Sequence, residues 1–267
     1  MRDNFEKKET MERIKLNYTH DGAVAQIILD DGKGNILDHV MMQEIQTLLN
    51  SFKENNNLKL ITFEGAGKHF SFGASVEEHQ KDMSAAMLRG FHQLFYTLRD
   101  LAIPTLAKIS GQCLGGGLEL AIMCNQMFAD KTAKLGQPEV ILGVFPPPAS
   151  IILPEKIGLS RAENMLLTGR AISADEGKLY GLLNEVFEDK ACLDQETNLW
   201  IEQHILPKSA SSLRFAVKAS RVKFNQILSN FLPQLEQMYV GQLMSTADAN
   251  EGINSFLEKR KPVWKNK

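Results

Sequence analysis

The residues in this sequence whose types and spacing suit chemistry are a glycine triplet and two glutamates. Gly115, Gly116 and Gly117 stand directly before an apolar run that begins at Leu118, and Glu119 is the single charge in that run. Glycines let a backbone approach a ligand closely, and a helix starting near Leu118 presents unpaired N–H groups backed by the positive end of its dipole. Such a place binds an anion, or an oxygen that becomes anionic during reaction. A tight strand-to-helix turn accounts for three glycines equally well, so the triplet decides nothing alone. Glu119 sits among Leu118, Leu120, Ala121 and Ile122. A lone carboxylate enclosed by protein is costly, which points to a task, whereas decoration of a helix N-terminus is the plainer reading. Glu139, after Gly136-Gln137-Pro138, reads in isolation as surface. Two carboxylates converging on one pocket can hold a water, one taking its proton while the other returns a proton to carbon. Spacing alone does not show that they converge.

Other chemistries fall away on inspection. Gly65-Ala66-Gly67-Lys68 lacks the Ser or Thr of a phosphate loop, because His69 follows, and Thr62 occupies the place of its first glycine. No His-Glu-x-x-His occurs and the six histidines do not cluster, so no metal is expected. Ser71 has no glycine two residues before it, which removes a nucleophile elbow, and the surroundings of Gly32 and Gly34 carry no dinucleotide fingerprint. Lys+Arg 30 against Asp+Glu 32 leaves a net charge of -2, so no global field draws the chain to nucleic acid or to an anionic membrane. Three cysteines (Cys113, Cys124, Cys192) make no disulfide framework, and the first two read as core. Residues 1–15 are charged and lack an apolar signal core, and no apolar run approaches the ~18 residues of a span. The expectation is a cytoplasmic protein with no nucleic-acid or membrane partner.

The elements that must position these residues alternate. Residues 22–30 read as a strand closed by Asp30-Asp31-Gly32; Asp38 is placed to cap a helix carrying Met41, Ile45, Leu48, Leu49 and Phe52. A strand over 58–63, a helix over 84–100 stopped by Pro104, a strand over 105–109 and the apolar helix over 118–125 follow. Residues 134–142 read as short and extended, and Phe145-Pro146-Pro147-Pro148 as excluding regular structure. The alternation predicts an α/β fold with crossovers between roughly parallel strands. Beyond Ser209 the pattern is helical, with Phe215, Phe224, Phe231 and Leu235 on apolar faces. The expected division is a polar arm over 1–12, a core over 13–208 and a helical region over 209–267.

The stretch GQCLGGGLELAIMC (111–124), together with LGQPEVILG (135–143), resembles the enoyl-CoA hydratase/isomerase, or crotonase, superfamily. HFSFGASVEEH (69–79), LTGRAI (167–172) with Gly181-Leu182, and FLEKRK (256–261) are similar to its early loop, later helix and turn, and C-terminal helix, so the resemblance runs from about Ala23 onward. It implies a ClpP/crotonase-like spiral of ββα turns with a C-terminal helical region for trimerisation, trimers that often pair into hexamers, and an acyl-CoA thioester as substrate. No cofactor is implied beyond the CoA of the substrate itself. The resemblance places the thioester oxygen on the backbone N–H groups of Ala74 and Gly116 and the two hydratase carboxylates on Glu119 and Glu139. Both being filled favours hydration over a non-catalytic, CoA-ester-binding role. The chain departs from simple hydratases at Phe72 and Ser75, and at Phe145 and Pro147 within GVFPPPASIILP (143–154), where those carry a glycine-rich loop. These departures resemble family members that act on a ring-shaped dienoyl thioester, and imply a rigid apolar wall suited to a planar six-membered ring; prolines that merely fix a loop are the alternative. Lys33 and Lys259 are the candidates for CoA phosphates, although cations in a last helical turn also satisfy its carbonyls.

Overall fold

The computed structural model describes residues 11–267. Strands β1 (Ile14–Thr19) and β2 (Val24–Leu29) form a hairpin whose turn, His20, Asp21 and Gly22, is entirely in positive φ. From β2 the sheet continues in parallel through β3 (Leu60–Gly65), β4 (Thr105–Ile109), β6 (Gln126–Asp130) and β9 (Glu185–Phe187). Strands covered on both faces read as unbroken apolar runs rather than alternating ones, and β4 is buried along its whole length. Its Lys108 is paired with Glu64 at 3.0 Å and Asp194 at 2.5 Å. A second, smaller sheet joins β5 (Gln112–Leu114) to β7 (Lys134–Gly136) in parallel and β7 to β8 (Ala171–Ser173) in antiparallel.

Helices make the crossovers. Asp38 caps α1 (His39–Ser51) through the N–H of Met41, and the helix buries Met41, Met42, Ile45, Leu48 and Leu49. The crossover α2 (Ser84–Leu101) turns into β4 through Ala102 in the left-handed region. Helix α3 (Gly116–Met123) is buried at every residue. There follow α4 (Pro147–Ile157), α5 (Leu159–Thr168), α6 (Ala174–Tyr180) and α7 (Lys190–His204). The chain ends in α8 (Ala210–Ser220), α9 (Val222–Gly241) and α10 (Ala247–Leu257), with α9 lying against α2 and α4. No helix among the described residues is long and apolar enough to cross a membrane.

Two expectations are corrected. The prolines at 146–148 do not exclude regular structure: Pro147 and Pro148 open α4, where a missing N–H is no loss because the first turn has no carbonyl partner for it. Residues 134–142 are extended only over Lys134–Gly136, and Pro138–Leu142 is a 3-10 turn. Of the arm expected over 1–12, residues 1–10 lie outside the described residues; Glu12 and Arg13 donate their N–H groups to the Glu44 carboxylate.

Candidate active site

Two adjacent parallel strands deliver the two halves of the site. The chain leaves β5 into Gly115 and α3, and leaves β7 into Gln137, Pro138 and Glu139, so the carboxyl ends of both strands open on the same place. Crevices at strand carboxyl ends are where open α/β sheets hold ligands. Gly115 N–H donates to Gly136 O at 2.9 Å and locks the two exits together. Glycine is required at 115 twice over: its φ of 50 with ψ of -129 suits no side chain, and a Cβ there would stand 2.7 Å from Glu139 Oε1.

The early loop comes up beside α3. Ser71 Oγ donates to Asn35 O at 2.6 Å and accepts from Gly73 N–H at 3.0 Å, while Leu114 N–H donates to Ser71 O at 3.0 Å. Gly73, at φ 105, packs so tightly that a Cβ would lie 2.9 Å from Leu114 O. A Cβ on Gly116 would lie 3.1 Å from Ala74 N, so the amides of Ala74 and Gly116 are near neighbours. Gly116 is the first residue of α3, where an N–H has no place in the helical ladder, and the Ala74 N–H has no acceptor among the described residues. The arrangement offers two donors and a helix N-terminus to one oxygen.

Glu119, in the first turn of α3, is 4% exposed, and its Oε1 accepts the N–H of Ala149 at 3.0 Å. That donor exists because of the prolines. Pro147 and Pro148 have no N–H, so Ala149 is the first residue of α4 able to bond, and the helix turns its positive end on the carboxylate. The side-chain amide of Gln137 lies 3.0 Å from both carboxylate oxygens of Glu139, its nitrogen assigned to that side because only then do both ends find partners. Burial raises the Glu119 pKa against the opposing Ala149 N–H; burial, then the neighbouring Glu119 charge, raises that of Glu139. A pair raised in this way holds a proton where isolated carboxyls have lost theirs.

Both glutamates line one cavity of about 690 Å³, together with Ala74, Gly116, Phe72, Ser75, Phe145 and Pro147. The structure thus brings together every residue singled out for the chemistry and for the acyl pocket. It does not bring Lys33 and Lys259 there. Lys33 is exposed beside a separate polar cleft with Lys68 and His69; Lys259 is exposed, its N–H bonded to Phe256 O at the end of α10. Sequence reasoning missed Ala149, Gln137 and Tyr239, which also lines the cavity. The run of prolines was the available signal for Ala149; nothing in the pattern around Tyr239 marked it.

A cavity with two free backbone donors beside a carboxylate pair is equipped to polarise a carbonyl and to move protons next to it. Comparison agrees: the enoyl-CoA hydratase/isomerase family model matches residues 19–267, and the chain belongs to that family. The chain is 40% identical, over 97% of its length and 99% of the relative's, to a cyclohexa-1,5-dienecarbonyl-CoA hydratase of Thauera aromatica. It is 30% identical, over 92% of its length and 89% of the relative's, to a probable mitochondrial enoyl-CoA hydratase of Dictyostelium discoideum. Among solved structures, an enoyl-CoA hydratase from Bacillus anthracis superposes with a TM-score of 0.75 at 28% identity, covering 96% of this chain and all 100% of that one. One from Mycobacterium avium subsp. paratuberculosis reaches 0.84 at 21% identity over 96% and 100%, a likeness of fold. The protein is a mixed α/β hydro-lyase of the crotonase fold.

Proposed function

We propose that the protein adds water to cyclohexa-1,5-diene-1-carbonyl-CoA, giving 6-hydroxycyclohex-1-ene-1-carbonyl-CoA, a step in the anaerobic breakdown of aromatic acids through benzoyl-CoA. The observation that carries the reading is the cavity itself, in which a carboxylate pair and two free amides are walled by Phe72, Phe145 and Pro147. The Thauera aromatica relative supports the choice of ring substrate.

The thioester oxygen docks on the N–H groups of Ala74 and Gly116. Glu119, ionised and steadied by Ala149, accepts a proton from water as the oxygen bonds to ring carbon 2. The electron pair of the C1–C2 double bond moves into the thioester, giving a dienolate whose negative oxygen the two amides stabilise. Glu139, protonated, gives its proton to ring carbon 5, leaving the double bond between C1 and C6. The pair begins and ends with one proton, exchanged between the two residues. Loss of one amide donor in such a site costs about 2.7–4 kcal/mol of transition-state stabilisation. No cofactor enters beyond the CoA of the substrate. Exposed Phe215, Phe231 and Trp264 on the C-terminal segment support a trimer, alone or doubled, with residues 209–267 as the assembling region.

Incubation of the pure protein with cyclohexa-1,5-diene-1-carbonyl-CoA tests the reading, with a gain of one water by mass and the hydroxyl at carbon 6 as the expected product. The Dictyostelium discoideum relative favours a second reading, a short-chain enoyl-CoA hydratase. Rapid hydration of crotonyl-CoA with no turnover of the ring substrate decides for it.

A further inference from the structure

One polar group in the cavity has no role in the reaction as written. Tyr239, on α9, lies in the cavity wall with its ring edge-to-face on Phe145, centroids 5.4 Å apart. The residue is 1% exposed, yet its hydroxyl has no hydrogen-bond partner among the described residues. Burying a hydroxyl without a partner destabilises the fold. Phenylalanine fills the same space without that cost, so packing alone does not explain a tyrosine.

The neighbours identify the missing partner. Burial raises the phenol's pKa, and the charges of Glu139 and then Glu119 raise it further, so the group keeps its proton and can only donate to an anion. Of the other ionisable groups around α9, Arg89 of α2 is exposed and acts on Glu236, and the rest are engaged elsewhere. His92 on α2 meets Glu236 at 2.8 Å, Arg99 meets Asp100, and Glu155 on α4 meets Lys223. Lys156 and Arg221 donate to the carbonyls of Cys124 and Met123, and Arg214 of α8 to those of Asn55 and Asn56. His79, across the cavity, is bonded to Ser75 O. Of the anions lining the cavity, the carboxylate pair is the one whose charges act on the phenol.

We propose that Tyr239 is a positioning residue of the acid–base pair, its hydroxyl donating to the pair when a carboxylate ionises and so favouring the form that takes a proton from water. The inference rests on the reading that Glu119 and Glu139 handle water, and is indifferent to which thioester carries the alkene. It also gives α9 a part in the chemistry of the site.

Tyr239→Phe tests it with two readouts: the pH–rate profile on whichever of the two thioesters the wild type hydrates, and an infrared titration of carboxyl groups without substrate. A lost donor to the charged form raises the pair's apparent pKa. The acidic limb of the profile and the infrared midpoint should both move up by about one pH unit, with kcat at neutral pH down about tenfold. KM should stay within about twofold and the thermal midpoint should hold or rise, since an unpartnered hydroxyl is removed. An unmoved limb and midpoint with wild-type kcat would overturn the proposal. Phe145→Leu, which disturbs the ring contact and keeps the phenol, should leave the infrared midpoint in place; an equal shift there assigns the effect to packing and also overturns it. If the wild type hydrates neither thioester, the functional reading fails, while the infrared midpoint still decides on Tyr239.

Discussion

The two sides of the cavity are built by different rules. On the side of α3 and the early loop, the helix is buried throughout, backbone amides stand beside Glu119, and glycines 73, 115 and 116 allow contacts that a Cβ would break. On the side of α4 and α9, side chains form the wall, Phe145, Pro147 and Tyr239, with Phe72 of the early loop at the rim, 45% exposed. Under the proposed function, the first side sets what is done to a thioester and the second which acyl group fits. A region whose function is main-chain geometry tolerates no substitution, whereas one whose function is side-chain shape can be re-cut.

The largest effects should come where the two sides meet. Glu119→Gln and Glu139→Gln should each lower kcat by about 10²–10⁴-fold with CoA-ester affinity nearly unchanged, measured by steady-state kinetics and calorimetry. Both should also stabilise the fold. A carboxyl whose folded pKa lies above its ordinary 4.5 favours the folded state fully below that pH, and that contribution is lost as pH rises toward the folded value. The thermal midpoint of either variant should therefore exceed the wild type's by more at pH 8 than at pH 4. Retained activity in both variants would remove the pair from the mechanism.

Gly115→Ala comes next. Its methyl would stand 2.7 Å from Glu139 Oε1, so displacement of that carboxylate should cost about 10²-fold in kcat, together with a lower thermal midpoint from backbone strain. Phe145→Ala, on the other side, should spare the chemistry and alter choice: the kcat/KM ratio of crotonyl-CoA to the ring substrate should rise about tenfold, the scale of a pocket contact. An unchanged ratio would break the contrast drawn here. The smallest effect belongs to Lys33→Ala, which should raise KM about threefold at low salt and leave kcat alone, the mark of an exposed charge.

Much of this was legible in the sequence, unevenly. Residues at helical spacing gave α1 and α2, and the glycine triplet beside Glu119 marked the start of α3, because those patterns are local. The short strands β5, β7 and β8 were not recoverable as a sheet, since three residues carry no period and their pairing is set by distant partners. That sheet is what brings Glu139 to Gly115. The prolines lack amide donors wherever they stand, but at a helix's first turn that deficit breaks no bond and passes the first donor to Ala149. Tyr239 stayed invisible because a tyrosine on an amphipathic helix looks like any other core aromatic until its hydroxyl is found alone.

The close approach of Gly115 to Glu139 has a consequence for descent. The dependence runs one way: a larger residue at 115 evicts the acid, whereas a chain that loses the acid still needs glycine there, because φ 50 with ψ -129 suits no side chain. Within the family, a change at 115 should therefore appear only where the acid is already gone, while the glycine should outlast the carboxylate in a lineage abandoning hydration.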